Sequence, residues 1–194
     1  MNRQPILFVG LVLAGLGFGI GYSVGSGGGL SSLTGPQAGP RATEDSIACY
    51  FSPKGGCTEA VVEQIERAQH EIHMQAYSFT SEEISRALVA AYRRGVKVTV
   101  VLDKSEAKQT SRAAEEVIRA KIPTYIDAQH AIAHNKIILI DGQTLITGSF
   151  NFTNQAEHSN AENLLVIRDH PKLYAAYEQN FQHHLGHSEP YSGR

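Results

Sequence analysis

The run Ile137 to Ile140, four aliphatic residues without a break, is followed at once by Asp141-Gly142 and a second apolar stretch, Leu145 to Thr147; no other feature constrains this chain as strongly. An aliphatic strand with no polar alternation must be covered on both faces, so it belongs at the centre of a sheet with layers packed above and below. Asp-Gly tolerates the positive φ of a two-residue type I′ turn, which sends the next segment back antiparallel. The open end of that hairpin then gathers His134, Asn135 and Lys136 from before the first strand with Gly148, Ser149, Phe150 and Asn151 from after the second. Side chains two apart on an extended segment share a face, so His134 and Lys136 are expected on one side roughly 6–7 Å apart, as are Ser149 and Asn151. Gly148 removes a side chain where a substrate or neighbouring backbone must come close. An imidazole, an ammonium, a hydroxyl and a carboxamide at one sheet edge are the groups needed to attack a phosphodiester without a metal ion.

The rest of the chain supplies the layers. Strands are expected at Ile47–Phe51, Ile72–Phe79, Val96–Leu102, just after Pro123, and at Asn163–Ile167. Helical periodicity falls between them: Thr58–Gln69 with Val61, Val62, Ile65 and Ala68 inward, a helix capped by Ser81 and ending at Gly95, Ser111–Ala120, and a last helix from Pro171 to His184. Alternating strands and helices predict an α/β fold, a mixed β-sheet flanked by helices, forming a single catalytic domain over 44–190. About 150 residues suffice for one core.

The pattern His134-x-Lys136-x4-Asp141 followed by Gly148-Ser149-x-Asn151 resembles the signature of the phospholipase D superfamily, over a stretch from about Phe51 to the C-terminus. With Ala76-Tyr77-Ser78-Phe79-Thr80, Phe152-Thr153 and Asn160-Ala161-Glu162-Asn163, the chain most resembles its small, single-motif, bacterial endonuclease-like members. A partial second copy, His170-Pro171-Lys172, has Tyr177 where the acid belongs and no glycine-serine segment after it. Members with two motifs build one site from both, so the resemblance implies a homodimer that shares its active site about a two-fold axis. It also implies the roles. One His134 attacks phosphorus to give a phosphohistidine while the partner's His134 protonates the leaving oxygen, and water then reverses the steps. Lys136 and Asn151 would hold the non-bridging oxygens, with Ser149 orienting the same network. Glu162 would hold the second imidazole nitrogen of His134. Asp141 belongs to the motif, but lies along the strand from His134 and is expected to make structural hydrogen bonds.

Other reactive side chains have plainer readings. His130, His158, His183 and His184 read as ordinary partly buried polar residues. A tract such as His183, His184 and His187 can ligate metal. Without a His-Glu-x-x-His motif, paired cysteine ligands or clustered carboxylates, it reads instead as a solvated helix end, and neither a metal nor a cofactor is expected. Cys49 and Cys57 fit either a disulfide, if the domain is exported, or two small core residues.

Residues 1–25 contain Arg3 and a 19-residue predominantly apolar run, Ile6 to Val24, that fits both a membrane anchor and a secretory signal. The small-xxx-small pairs Gly15/Gly19 and Gly17/Gly21 favour a retained anchor, and Arg3 favours an inside N-terminus. The domain is thus expected in the bacterial periplasm or outside the cell, beyond a flexible Gly/Ser/Pro-rich linker over 26–43. Of the 17 basic residues only Arg3 precedes Arg41, so the remainder sets 16 against 19 acidic ones, a mild objection to a nucleic-acid partner. Lys104, Lys108 and Arg112, at i, i+4 and i+8, are a candidate basic edge for phosphates, although the spacing also suits a plain solvated helix. Nucleic acid is the favoured substrate, phospholipid the rival, and an idle polyanion-binding scaffold the alternative of another class.

Overall fold

The computed structural model describes residues 46–193. The expected membrane segment and linker lie outside the described residues, and among the described ones no helix is long and apolar enough to cross a membrane. In chain order the elements are β1 (Ile47–Ser52), α1 (Cys57–Arg67), β2 (Glu71–Ala76), α2 (Glu82–Arg93), β3 (Lys97–Asp103), α3 (Lys104–Lys108), α4 (Arg112–Arg119) and β4 (Thr124–Asp127). They continue with β5 (Lys136–Ile140), β6 (Thr144–Gly148), α5 (Asn154–His158), β7 (Glu162–Arg168), α6 (Pro171–His187) and β8 (Glu189–Pro190).

One eight-stranded mixed sheet runs in the order β1-β7-β6-β5-β2-β3-β4-β8. The strands β2, β3 and β4 are parallel neighbours, and the remaining pairs are antiparallel. The aliphatic run lies near its middle and feeds both faces. Ile138 and Ile140 join the core that includes Val61, Ile65, Ile84, Leu88 and Val117 of α1, α2 and α4. Ile137 and Leu139 join the second core, with Tyr174 and Phe181 of α6. Fully burying one such side chain stabilises the fold by about 1.5–3 kcal/mol, so the two layers share a strand that neither can lose.

Local chemistry starts the helices. The Ser81 hydroxyl accepts from the Ile84 N–H at 3.4 Å and Ser111 from that of Ala114 at 3.1 Å, as expected of N-caps. Helix α1 is capped from a distance instead: the buried Glu157 carboxylate accepts from Gly56 N at 3.2 Å and Thr58 N at 2.7 Å. Sequence periodicity does not register α3, α5 or β8, which are only two to five residues long. The last helix extends to His187, and its end is not solvated as expected: His184 is buried, and both His184 and His187 turn inward to Asp127.

The expected turn forms with Asp141 at φ 53° and Gly142 at φ 74°, both in the left-handed region. The Asp141 carboxylate accepts from the backbone N–H groups of Gln69 at 2.7 Å, His70 at 2.8 Å and Glu71 at 2.9 Å, tying the turn to the start of β2. Burial by itself would raise its pKa; the three N–H groups outweigh that and hold it below the ordinary 3.8.

The disulfide reading is not met. Cys57 is buried at the first position of α1, Cys49 is exposed on β1, and both are free thiols. Burial, followed by the charges of Glu157, Glu59 and Glu162, pushes the Cys57 thiol up to about 11.

Two outcomes follow from these contacts. Asp141→Asn replaces a carboxylate that satisfies three donors and should cost about 1–3 kcal/mol in urea unfolding at neutral pH. A depressed carboxylate stabilises the fold above its unfolded pKa and loses that contribution as pH falls through its folded value, so the gap between wild type and variant should close below about pH 4. A thiol reagent should label one cysteine in the native protein and two in denaturant; two native labels would place Cys57 outside the core.

Candidate active site

Register places the motif residues at one sheet edge. Lys136 pairs with Ala76 at the end of β2, and Gly148 with Leu164 near the start of β7. The segment after β2 is held there by Tyr77 N donating to Asn135 O at 3.0 Å and by a Phe79–Phe152 bridge. The C-terminal ends of β2 and β6 and the N-terminal ends of β5 and β7 therefore converge.

His134 and Lys136 are brought together in different environments. His134 precedes β5 and is exposed, its ring 4.5 Å from that of Tyr77 at a 47° tilt. Lys136 opens β5 and is only 6 % exposed. Its ammonium donates to His134 O at 2.7 Å and sits 5.1 Å from the centroid of the Tyr77 ring. Burial pulls the lysine pKa below its ordinary value, with the Glu162 charge acting the other way. A largely desolvated ammonium with N–H groups to spare attracts an incoming anion strongly, because the low local dielectric weakens neither charge. Tyr77 thus touches both residues of the pair. Sequence reasoning gave it no role; the signal was its place just past a buried strand.

Gly148 has φ 150°, and a Cβ there would come within 2.3 Å of Asn163 O. That carbonyl accepts from both Ser149 N at 3.1 Å and Phe150 N at 3.2 Å, so the glycine serves the close approach of neighbouring backbone. The exposed Ser149 hydroxyl accepts from the Asn163 backbone N–H at 3.1 Å and from Asn163 Nδ2 at 3.2 Å. Asn151 stands between the buried rings of Phe150 and Phe152, and its Oδ1 is buried without a hydrogen-bond partner among the described residues. A buried carbonyl oxygen without a partner on this half-buried side chain marks a polar position open to a donor.

Two expectations are corrected. Within one chain Glu162 does not hold the His134 imidazole: it accepts from Asn160 Nδ2 at 3.1 Å and exerts its charge on Lys136. Asp141 stands at the far end of β5, away from His134, where it makes the structural hydrogen bonds expected of it. Lys104, Lys108 and Arg112 do not form one helical edge, because α3 ends at Lys108 and Arg112 starts the separate α4. Lys104 is spent on His130 O at 2.7 Å. Arg112 lines a hydroxyl-rich hollow with Ser78, Thr80 and Ser111, beside the Tyr77 segment, whereas Lys108 lines another with Arg119 and Lys121.

The chain and its fold resemble known proteins. Residues 61–185 match the family described as "Cardiolipin synthase, PLD-like domain". Phospholipase D of Rickettsia prowazekii is 45% identical over 139 residues, 72% of this chain and 67% of that protein. Mitochondrial cardiolipin hydrolase of Danio rerio is 34% identical over 137 residues, 69% of this chain and 60% of that protein. Among solved structures, Nuc from Salmonella typhimurium, titled a phospholipase D family member, superposes with a TM-score of 0.70 at 38% identity, covering 75% of this chain and 97% of that one. NucT from Helicobacter pylori shares the fold, with a TM-score of 0.66 at 21% identity, 75% of this chain and 98% of that one. A motif assembled at one sheet edge, a matching fold and relatives of this identity lead to one conclusion: the chain belongs to the phospholipase D-like family and is a phosphodiesterase hydrolase.

Proposed function

We propose that this protein is a metal-independent endonuclease, without base specificity, that works as a homodimer through a phosphohistidine at His134. The observation that carries the reading is an exposed imidazole with no hydrogen-bond partner among the described residues, set beside a buried lysine. A ring nitrogen of His134 attacks phosphorus; the N–P bond forms as the P–O bond to the leaving group breaks, and a protonated His134 of a second copy delivers a proton to the departing oxygen. Water then attacks the phosphohistidine, giving its proton to the second imidazole as the N–P bond breaks. Lys136 donates to the non-bridging oxygens as charge builds, with Asn151 and Ser149 completing that cradle.

Two acid–base imidazoles are required, and within the chain the His134 ring packs at a tilt against a tyrosine, not against another histidine. A second copy related by a two-fold axis supplies the missing one. Ile132, 55 % exposed and two residues before His134, is an apolar group suited to such a contact. The adjacent hollow is lined by polar side chains, among them Ser78, Thr80 and Arg112 but also Glu82 and Glu106, so it offers no aliphatic wall to acyl chains, while its two carboxylates against one guanidinium give a phosphate backbone no net attraction there. Head-group hydrolysis of phospholipids is the rival reading, favoured by the activities named in the Rickettsia and Danio relatives. The apolar segment headed by Arg3 supports an exported, membrane-anchored enzyme.

The purified protein is expected to nick plasmid DNA in EDTA, with His134→Ala reducing the rate by about 10²–10⁴-fold. Turnover of phosphatidylcholine or cardiolipin vesicles with DNA untouched would replace the nuclease by the lipid reading, and activity on neither would leave a scaffold. Mixing equal amounts of wild type and His134→Ala under subunit exchange should leave about a quarter of the wild-type activity if the site is shared, and about half if each subunit acts alone.

A further inference from the structure

Three strands across the sheet from β5, which His134 precedes, four further side chains meet at the end of β4. Asp127, His130, His184 and His187 each offer one ligand atom, and those atoms lie within 4.8 Å of one another. They form two i, i+3 pairs, one on β4 and its following turn and one in the last turn of α6. The Asp127 side chain is fully buried. Its Oδ2 lies 2.7 Å from His184 Nδ1, 3.1 Å from His130 Nδ1 and 3.3 Å from His187 Nε2.

Hydrogen bonding alone serves this group poorly. Three imidazole nitrogens approach Asp127 Oδ2, and one of them, His130 Nδ1, is shared with Oδ1 at 3.2 Å, so a single carboxylate is crowded by ring nitrogens. The shortfall is visible: His187 Nε2 is buried and makes no sound hydrogen bond despite its 3.3 Å approach to the carboxylate. A buried ring nitrogen left unsatisfied costs free energy that a bound cation would recover through its lone pair.

We propose that Asp127, His130, His184 and His187 form a structural site for a divalent transition-metal ion, Zn(II) by ligand type. Three neutral imidazoles and a carboxylate are a borderline, nitrogen-rich set that suits zinc rather than calcium or magnesium, which select oxygen ligands. Ligand atoms around tetrahedral zinc with 2.0–2.1 Å bonds are about 3.4 Å apart, so the widest separation must close by little more than an ångström. Four protein ligands fill a tetrahedral shell, which makes the site closed and its role architectural. Asp127 Oδ1 accepts from Gln129 N at 3.1 Å and lies 3.2 Å from His130 Nδ1, while Oδ2, which faces all three rings, is the oxygen placed for the metal. The ion would fasten the end of α6 to the β4–β5 loop. That loop delivers His134, with its far end fixed by Ala133 N donating to Asp103 Oδ2 at 2.7 Å.

The test is metal binding by the full-length chain in detergent, purified without a polyhistidine tag and stripped with EDTA. Zn(II) titration against a chromogenic chelator should show one tight equivalent, and Co(II) in its place should give the intense visible bands of a four-coordinate ion. Zn(II) should also raise the unfolding midpoint by several degrees. His130→Ala and His187→Ala, both at partly exposed positions, should keep the wild-type far-ultraviolet spectrum while weakening binding by on the order of 100-fold or more. His183→Ala, a neighbour outside the four, should bind as wild type. No stoichiometric uptake, wild-type affinity in either ligand variant, or loss of binding in His183→Ala would overturn the assignment. None of these readouts depends on catalysis, so failure here is separable from failure of the proposed phosphodiesterase mechanism.

Discussion

The structure depends on a hairpin buried on both faces and held at its turn by one carboxylate. The alternating side chains of β5 supply two separate cores, so any register slip would exchange their contents. Asp141 fixes that register from outside the ladder by accepting three backbone N–H groups at the entry to β2. The acid of the motif thereby positions the opposite end of the strand, where Lys136 begins. It matters to the chemistry through the lattice of backbone bonds and not by touching substrate.

At that opposite end the fold sets two neighbouring residues in unlike environments. Lys136 is pulled inward, capped by a tyrosine face and a backbone carbonyl, while His134 stays exposed. Under the proposed mechanism the contrast suits two tasks. A cation that must stabilise developing phosphate charge gains from desolvation, whereas a nucleophile must reach solvent-borne phosphorus and later admit water. One tyrosine, contributed by the strand next door, packs against both.

The second histidine-rich region shows how an apparently polar surface tract becomes interior. His184 and His187 look like the solvated end of a helix when only α6 is considered. Once α6 packs across the sheet, the same last turn lands on β4, where Asp127 and His130 already face it. The cluster joins residues nearly sixty positions apart in the chain, and helical periodicity carries no information about which strand receives a helix end.

Short-range order explains what was legible from the chain alone. The alternating strands and helices, the Asp-Gly turn, the serine cap of α2 and the meeting of the His134–Lys136 and Gly148–Asn151 segments at one end of a hairpin all follow from neighbours within a few residues. Tertiary structure alone decided the strand order, the capping of α1 by Glu157, and the burial of Cys57 while Cys49 stays exposed. Each of these depends on which distant segments pack together, a choice made by the burial of whole faces and invisible in any local window.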